Sequence, residues 1–179
     1  MTISENSIDY LNAHKGGVQC SSSTGGLLGW SSSVSGLAYI METKGVAEEV
    51  FAPEMDYVNN HRLFGQLYRE INKNGKPDLI IGSSMGGYYA DAIASHFGIE
   101  VLLFNPALHS RSIDRKVPYG ETNWERNFVV GTEDEVIDPK LTKVLADISK
   151  SWTEVEGMAH RTPLNIFTDI YNKWNLKQL

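Results

Sequence analysis

The sequence predicts an α/β fold built on a mostly parallel sheet, and two observations support this. Short apolar runs of strand length alternate along the chain with longer segments whose apolar residues recur every four positions, as on one face of a helix. Strands that alternate with helices in this way form parallel sheets covered by helices. The chain has 179 residues, close to the size of one domain, so we expect a single domain over 1–179.

The predicted strands are short apolar runs at 8–13, 46–52, 79–83, 101–105, 128–131 and 152–155. The run that begins at Leu79 is apolar without alternation, as expected of a central strand buried on both faces. Helical stripes are predicted at Leu63, Leu67 and Ile71, at Met85, Tyr89 and Ile93, and at Ile166, Ile170 and Trp174. We expect about six strands, helices on both faces of the sheet and no cap domain.

Composition and charge exclude several classes of protein. Hydrophobic residues make up 41% of the chain and charged residues 21%, which is ordinary for a globular protein. A net charge of -6 without a basic cluster disfavours nucleic acid as a partner. No run approaches the ~20 apolar residues that span a bilayer, and the N-terminus lacks the pattern of a secretion signal. We therefore expect no membrane insertion and a cytoplasmic location, where the single cysteine, Cys20, stays reduced.

The most informative segment is 82–87, which follows a predicted buried strand and begins a predicted helix. Gly82, Ser84 and Gly86 match the G-x-S-x-G pattern in this strand-turn-helix context. An abrupt turn of this kind holds the serine in a strained backbone conformation, and the flanking glycines leave room for strand and helix to cross. The pattern makes Ser84 a candidate nucleophile, although a Gly/Ser turn that only begins a helix gives the same residues.

A serine nucleophile needs a base to accept its proton and a carboxylate to orient that base. His160 is the candidate base because it follows a predicted strand and turn, with His109 as the second choice. Asp134 is the candidate carboxylate at the end of a predicted strand, whereas Asp138 precedes a proline and is better suited to cap a helix. The order Ser84, Asp134, His160 is that of the α/β-hydrolases.

Two backbone amides are expected to stabilise the oxyanion of the tetrahedral intermediate. Met85 N–H follows the nucleophile at the start of a helix and is the first. The second is expected from the loop after the first strand, where Gly16 is preferred and Lys15 is the alternative. No His/Cys/Asp cluster has metal-ligand spacing, and the glycines match no nucleotide-binding pattern, so no metal or cofactor is predicted.

Substrate contacts are expected from loops near Ser84. The Ser/Gly-rich stretch 19–36 is predicted to be a loop, either a solvated linker or a lid over an acyl chain. Lys15, Arg111 and Arg161 are cations that could receive a carboxylate or phosphate. The apolar candidates for substrate binding, which could equally belong to the core, are Trp30, Leu27, Leu28, Tyr88, Leu108 and Met158.

Four segments, 81–90 (IGSSMGGYYA), 104–108 (FNPAL), 131–138 and 157–161, together resemble a known family. They are similar to the elbow, the Asn-Pro segment, the acid loop and the histidine loop of the YqiA-like and YcfP-like small esterases of the α/β-hydrolase superfamily. The resemblance spans residues 77–174 and implies a minimal α/β-hydrolase fold with esterase or thioesterase activity. The N-terminal third departs from the family pattern of a strand followed by His-Gly and a short Ser-rich loop.

The sequence therefore predicts a serine hydrolase that cleaves small or medium acyl esters or thioesters through an acyl-enzyme on Ser84. A cysteine hydrolase that pairs Cys20 with His14 or His160 is an alternative, but Cys20 follows no predicted strand. A second alternative is a hydrolase fold that has lost turnover and binds a partner. The expected partner is a small-molecule ester, and no oligomeric state is predicted.

Overall fold

The computed structural model describes residues 27–28, 53, 55–111, 114, 116–146 and 149–176. Within them lie five strands: β1 Leu27–Leu28, β2 Leu79–Ser83, β3 Glu100–Phe104, β4 Arg126–Gly131 and β5 Ser151–Val155. The same residues contain four helices: α1 Leu63–Asn74, α2 Met85–Phe97, α3 Pro139–Leu145 and α4 Leu164–Leu176. None of these helices is long and apolar enough to cross a membrane.

The strands form one sheet in chain order, and each neighbouring pair is parallel. Ser83 is paired with Phe104 of β3, and Gly131 at the end of β4 is paired with Val155 at the end of β5. The carboxyl ends of β2 to β5 therefore meet at one edge of the sheet. This is the edge at which open α/β sheets bind their ligands.

Both faces of the sheet are buried under helices, as predicted. Side chains of one face pack with α1 and α2, and they are Ile80, Val101, Leu103 and Phe128. Side chains of the other face pack with α4, and they are Leu79, Ile81, Leu102, Phe104 and Val129. The whole of β2 is buried, which explains why its sequence is apolar without alternation. The α/β prediction with helices on both faces is confirmed.

Most predicted elements within the described residues agree with the structure. The strand prediction 79–83 is confirmed, and β3, β4 and β5 begin one or two residues before their predicted starts. The predicted strands 8–13 and 46–52 lie outside the described residues. The loop prediction for 19–36 is wrong at Leu27–Leu28, which pair with Leu79 and Ile80. Two residues are too short to show a periodicity, so only their pairing with β2 identifies them as a strand.

The helix faces follow the apolar spacing with one difference. In α1 the predicted residues Leu63, Leu67 and Ile71 are the buried ones. In α4 the predicted stripe is only partly buried, and the centre of the contact is Phe167, whose ring lies 4.1 Å from that of Phe104, together with Tyr171. The apolar face of α4 is therefore wider than the predicted stripe, and the residues of that stripe lie along one border of the face.

The connection from β3 to β4 is a loop held against α2. No helix or strand occurs in its described residues between Phe104 and Arg126, so no cap domain is inserted there. The polar side chains of Tyr88, Asp91 and Ser95 lie on one face of α2. They hydrogen bond to the loop at Val117, Tyr119, Gly120 and Trp124. These bonds fix the loop along the length of α2, from the carboxyl edge of the sheet toward the amino end of β4.

Candidate active site

Ser84 lies in the turn between β2 and α2 with φ 53° and ψ -124°. A positive φ of this kind is strained for a residue with a side chain. Two hydrogen bonds to the segment after β3 hold the turn: Ser84 N–H donates to Phe104 O at 3.0 Å, and Ala107 N–H donates to Ser84 O at 3.0 Å. The strained elbow expected from the G-x-S-x-G pattern is therefore present.

Glycines let the strand and helix cross at this turn. A Cβ atom on Gly82 would lie 2.6 Å from the Cβ of Ala90 and 2.6 Å from Gly86 O, so no larger residue fits. Gly87 is crowded as well, because its Cβ would lie 2.8 Å from the Cβ of Pro106. The pattern singled out Gly82 and Gly86, and it did not indicate the contact at Gly87, which depends on the chain beyond β3.

Three side chains from separate turns meet at the carboxyl edge. Ser84 Oγ lies 2.9 Å from His160 Nε2, and His160 Nδ1 lies 3.0 Å from Asp134 Oδ2. The His160 side chain is 21% exposed and that of Asp134 only 1%. His109, the second choice of base, has a different partner, and its Nδ1 lies 3.4 Å from Thr142 Oγ1. The structure thus brings together the three residues that the sequence selected.

The two candidate aspartates make different contacts. Asp134 Oδ1 accepts hydrogen bonds from the N–H groups of Val136 and Ile137, both at 2.8 Å. These bonds stabilise a buried carboxylate and fix its orientation toward the imidazole. Asp138 accepts from Lys140 N–H at 2.8 Å and caps α3, so its predicted capping role is confirmed.

A second carboxylate, Glu135, reaches the backbone of the histidine loop. Its Oε2 accepts from His160 N–H at 3.3 Å, while its carboxylate remains at the surface. Hydrogen bonds from the backbone amides of Glu135 itself and of His160 hold the pKa of this carboxyl below its ordinary value. The sequence placed Glu135 in the acid loop but did not indicate this contact.

The turn after β3 contributes Asn105, which the sequence marked only as part of an Asn-Pro segment. Its side chain is buried and its φ is 42°. The side-chain amide hydrogen bonds to Gly131, the last residue of β4, and to Ala159 and His160 in the loop after β5. No local signal predicts these contacts, because the partners are distant in the chain.

The amides expected at an oxyanion site are described only in part. Met85 is the first residue of α2, where backbone N–H groups lack acceptors within the helix. Gly16 and Lys15 lie outside the described residues. Their selection rested on the predicted first strand at 8–13, which also lies outside the described residues, so Gly16 and Lys15 stay predictions.

The predicted substrate-binding residues have different surroundings. Tyr88 and Met158 are buried in the hydrophobic core, on opposite faces of the sheet, whereas Leu108 is partly buried at the core's border. Leu27 and Leu28 pair with the first two residues of β2, away from the carboxyl edge, which does not favour a lid role for them. Trp30 lies outside the described residues.

The cations near the site also differ in their contacts. The guanidinium of Arg111 lies 4.7 Å from the centre of the Tyr88 ring, and its Nη1 donates to Leu108 O at 2.7 Å. Arg161 is exposed beside His160. Lys15 lies outside the described residues, as do Cys20 and His14 of the cysteine alternative. Within the described part of the chain, no group of three or more His, Cys, Asp or Glu residues could hold a metal ion.

The parallel sheet and the elbow after its buried strand β2 define an α/β-hydrolase fold. A protein from Xanthomonas campestris pv. campestris, described as a hydrolase of the alpha/beta superfamily, matches with a TM-score of 0.63 and 16% identity, over 88% of this chain and 100% of its own. Est1E from Butyrivibrio proteoclasticus matches with a TM-score of 0.65 and 11% identity, over 87% of this chain and 88% of its own. An esterase domain from a Rhodothermus marinus protein matches with a TM-score of 0.61 and 12% identity, over 86% of this chain and 84% of its own.

The family is shown by the sequence itself. The model of the uncharacterised protein family UPF0227 matches residues 35–145, and the chain belongs to this family. No curated protein matches the chain. The structural likeness, at these identities, shows a shared fold.

Proposed function

We propose that this protein is a serine hydrolase that cleaves small or medium acyl esters or thioesters through an acyl-enzyme on Ser84. One observation carries the proposal: Ser84 Oγ lies 2.9 Å from His160 Nε2, and Asp134 lies 3.0 Å from the other ring nitrogen. Nucleophile, base and orienting carboxylate are each within hydrogen-bonding distance. The resemblance to YqiA-like and YcfP-like esterases, and the esterases among the structural neighbours, support the same chemistry.

The reaction proceeds in two steps. As Ser84 Oγ attacks the carbonyl carbon of the substrate, His160 Nε2 accepts the hydroxyl proton, and the Asp134 carboxylate stabilises the resulting imidazolium. The Met85 amide at the start of α2 donates to the oxyanion. His160 then gives its proton to the leaving alcohol or thiol, which departs and leaves the acyl group on Ser84. Water, deprotonated by His160, attacks this ester, and Ser84 recovers its proton as the acid is released.

The preference for small or medium acyl groups follows from the loops around the site. The described part of the β3–β4 connection contains no helix that could enclose a long chain, and the loop is fixed on α2. Leu108 follows Ala107, whose N–H donates to Ser84 O, and is therefore a partly buried apolar candidate next to the turn that carries the nucleophile. Acyl contacts therefore depend on a few loop side chains.

Labelling with a fluorophosphonate, read by intact mass, tests the nucleophile. The wild type should gain one phosphonyl group, Ser84→Ala should gain none, and the neighbouring Ser83→Ala should still be labelled. A folded wild type that takes no label would contradict the proposal and favour a binding protein. Inactivation by iodoacetamide at Cys20, with Ser84 dispensable for turnover, would favour the cysteine alternative.

A p-nitrophenyl ester series from acetate to palmitate tests the substrate class. Turnover should be highest with short or medium chains, and Trp30→Ala should change the profile if that residue covers the acyl chain. Identical profiles for wild type and Trp30→Ala would remove the lid role. Highest turnover with palmitate would contradict the proposed chain length.

A further inference from the structure

Asn105 has the backbone conformation of a functionally constrained residue. It follows β3 directly, its φ is 42°, and it is 1% exposed. Within the described residues, it and Ser84 are the non-glycine residues with positive φ. Such strain persists where the surrounding contacts hold it, and it occurs frequently at active sites. Asparagine tolerates positive φ better than most residues, but its polar side chain is buried and must therefore find hydrogen-bond partners within the protein.

The side-chain amide of Asn105 uses its donors and its acceptor on three backbone groups. Nδ2 donates to Ala159 O at 3.1 Å and to His160 O at 2.9 Å, and Oδ1 accepts from Gly131 N–H at 2.8 Å. The two carbonyls need donors and the amide needs an acceptor, so the orientation of the side chain is determined. A carboxylate or an apolar side chain of the same size cannot make all three bonds.

These bonds, together with a backbone bond of the preceding residue, link the segments that carry the three proposed catalytic residues. Phe104, which precedes Asn105, accepts from Ser84 N–H at 3.0 Å. Gly131, bound by Oδ1, accepts from Asp134 N–H at 3.4 Å. The histidine loop approaches the end of β4 so closely that a Cβ on Gly131 would overlap the backbone of the loop.

We propose that Asn105 is a positioning residue that holds the backbone of His160 so that the imidazole meets both Ser84 and Asp134. This inference rests on the proposed function. His160 lies between β5 and α4, and the ring contact with Asp134 orients the imidazole without fixing the main chain that carries it. Since a displacement of about 1 Å can cost ~10²-fold in rate, loss of the bond from Asn105 to His160 O slows turnover by about that factor.

Asn105→Gly removes the three side-chain hydrogen bonds, which we call the Asn105 clamp, without adding backbone strain, because glycine adopts positive φ freely. We expect kcat for a p-nitrophenyl ester to fall by ~10²-fold with KM changed by less than about threefold, since only the position of the base changes. Asn105→Asp keeps the size of the side chain but turns carboxylate oxygens toward two carbonyls, so its kcat should fall at least as far.

Asn127 provides the matched control. It is also buried, and its Nδ2 donates to Glu100 Oε1 at 2.8 Å, but it lies near the amino end of β4, away from the site. Asn127→Ala should lower the free energy of unfolding in urea and leave kcat unchanged. The position of His160 is read independently from the proton resonance of its Nδ1–H, assigned by its loss in His160→Ala.

The clamp is supported if Asn105→Gly or Asn105→Asp shifts or broadens this resonance and lowers kcat, while Asn127→Ala does neither. It is overturned if folded Asn105 variants match Asn127→Ala in both measurements. Failure of the fluorophosphonate to label the folded wild type would overturn the proposed function alone, because the resonance reports the contact of His160 with Asp134 without turnover.

Discussion

Replacing Asp134 by asparagine should remove most of the turnover and leave the fold intact. Oδ1 of Asp134 accepts from Val136 N–H and Ile137 N–H, both at 2.8 Å, so an asparagine oxygen is held at the same two donors. The asparagine Nδ2 then faces His160 Nδ1 and donates to it. The imidazole proton therefore lies on Nε2, which can no longer accept the proton of Ser84. The wrong tautomer lowers kcat by ~10⁴-fold, or about 5 kcal/mol.

The assay is kcat for a p-nitrophenyl ester, with circular dichroism to establish folding. Asp138→Ala is the control, because it removes the cap bond to Lys140 N–H but no contact of the proposed catalytic residues. It should lower the free energy of unfolding by about 1 kcal/mol and change kcat by less than about twofold. An Asp134→Asn protein within tenfold of wild type, beside a folded but inactive Asp138→Ala protein, would refute the assignment.

Three further predictions follow from the contacts around the site and on α2. The added Cβ of Gly131→Ala would overlap the backbone at Met158, so this variant should lower the free energy of unfolding by about 3 kcal/mol. Gly157 has a φ of 70° but open space around it, so Gly157→Ala should lower the free energy of unfolding by only about 1–2 kcal/mol. Equal losses in the two variants would contradict the close approach at Gly131. Glu135→Gln keeps an acceptor for the histidine's backbone amide, so kcat should stay within about threefold, and a larger loss would show that the charge is required. Burial raises the pKa of Asp91 above 3.8, so the stability contributed by its protonated form is present below pH 3.8 and is lost as the pH rises through the folded-state pKa. The test measures the free energy of unfolding in urea for the wild type and for Asp91→Asn at several pH values. The wild-type value minus the Asp91→Asn value should fall as the pH rises, and a difference that grows with pH would contradict the prediction.

Predictions from local spacing agreed with the structure where local packing decides the outcome. The apolar run of β2 and the four-residue stripe of α1 are buried as expected, since each depends on the side-chain period of its own element. The stripe of α4 was displaced because Phe167 and Tyr171, not its predicted residues, are at the centre of the contact with the sheet. The strand at Leu27–Leu28 was missed because its pairing with β2 is its only signal.

By itself, the sequence determined the alternation of strands and helices and the elbow at Ser84, because both arise from residues close together in the chain. It also limited the base and the acid to a few loops, from which His160 and Asp134 were selected by position. Only the tertiary structure decided that these side chains meet and that Asn105 joins their turns. Those contacts link residues that are 26 to 76 positions apart in the chain. Such distant residues come together because the parallel strands end at the same edge of the sheet, which no local sequence pattern indicates.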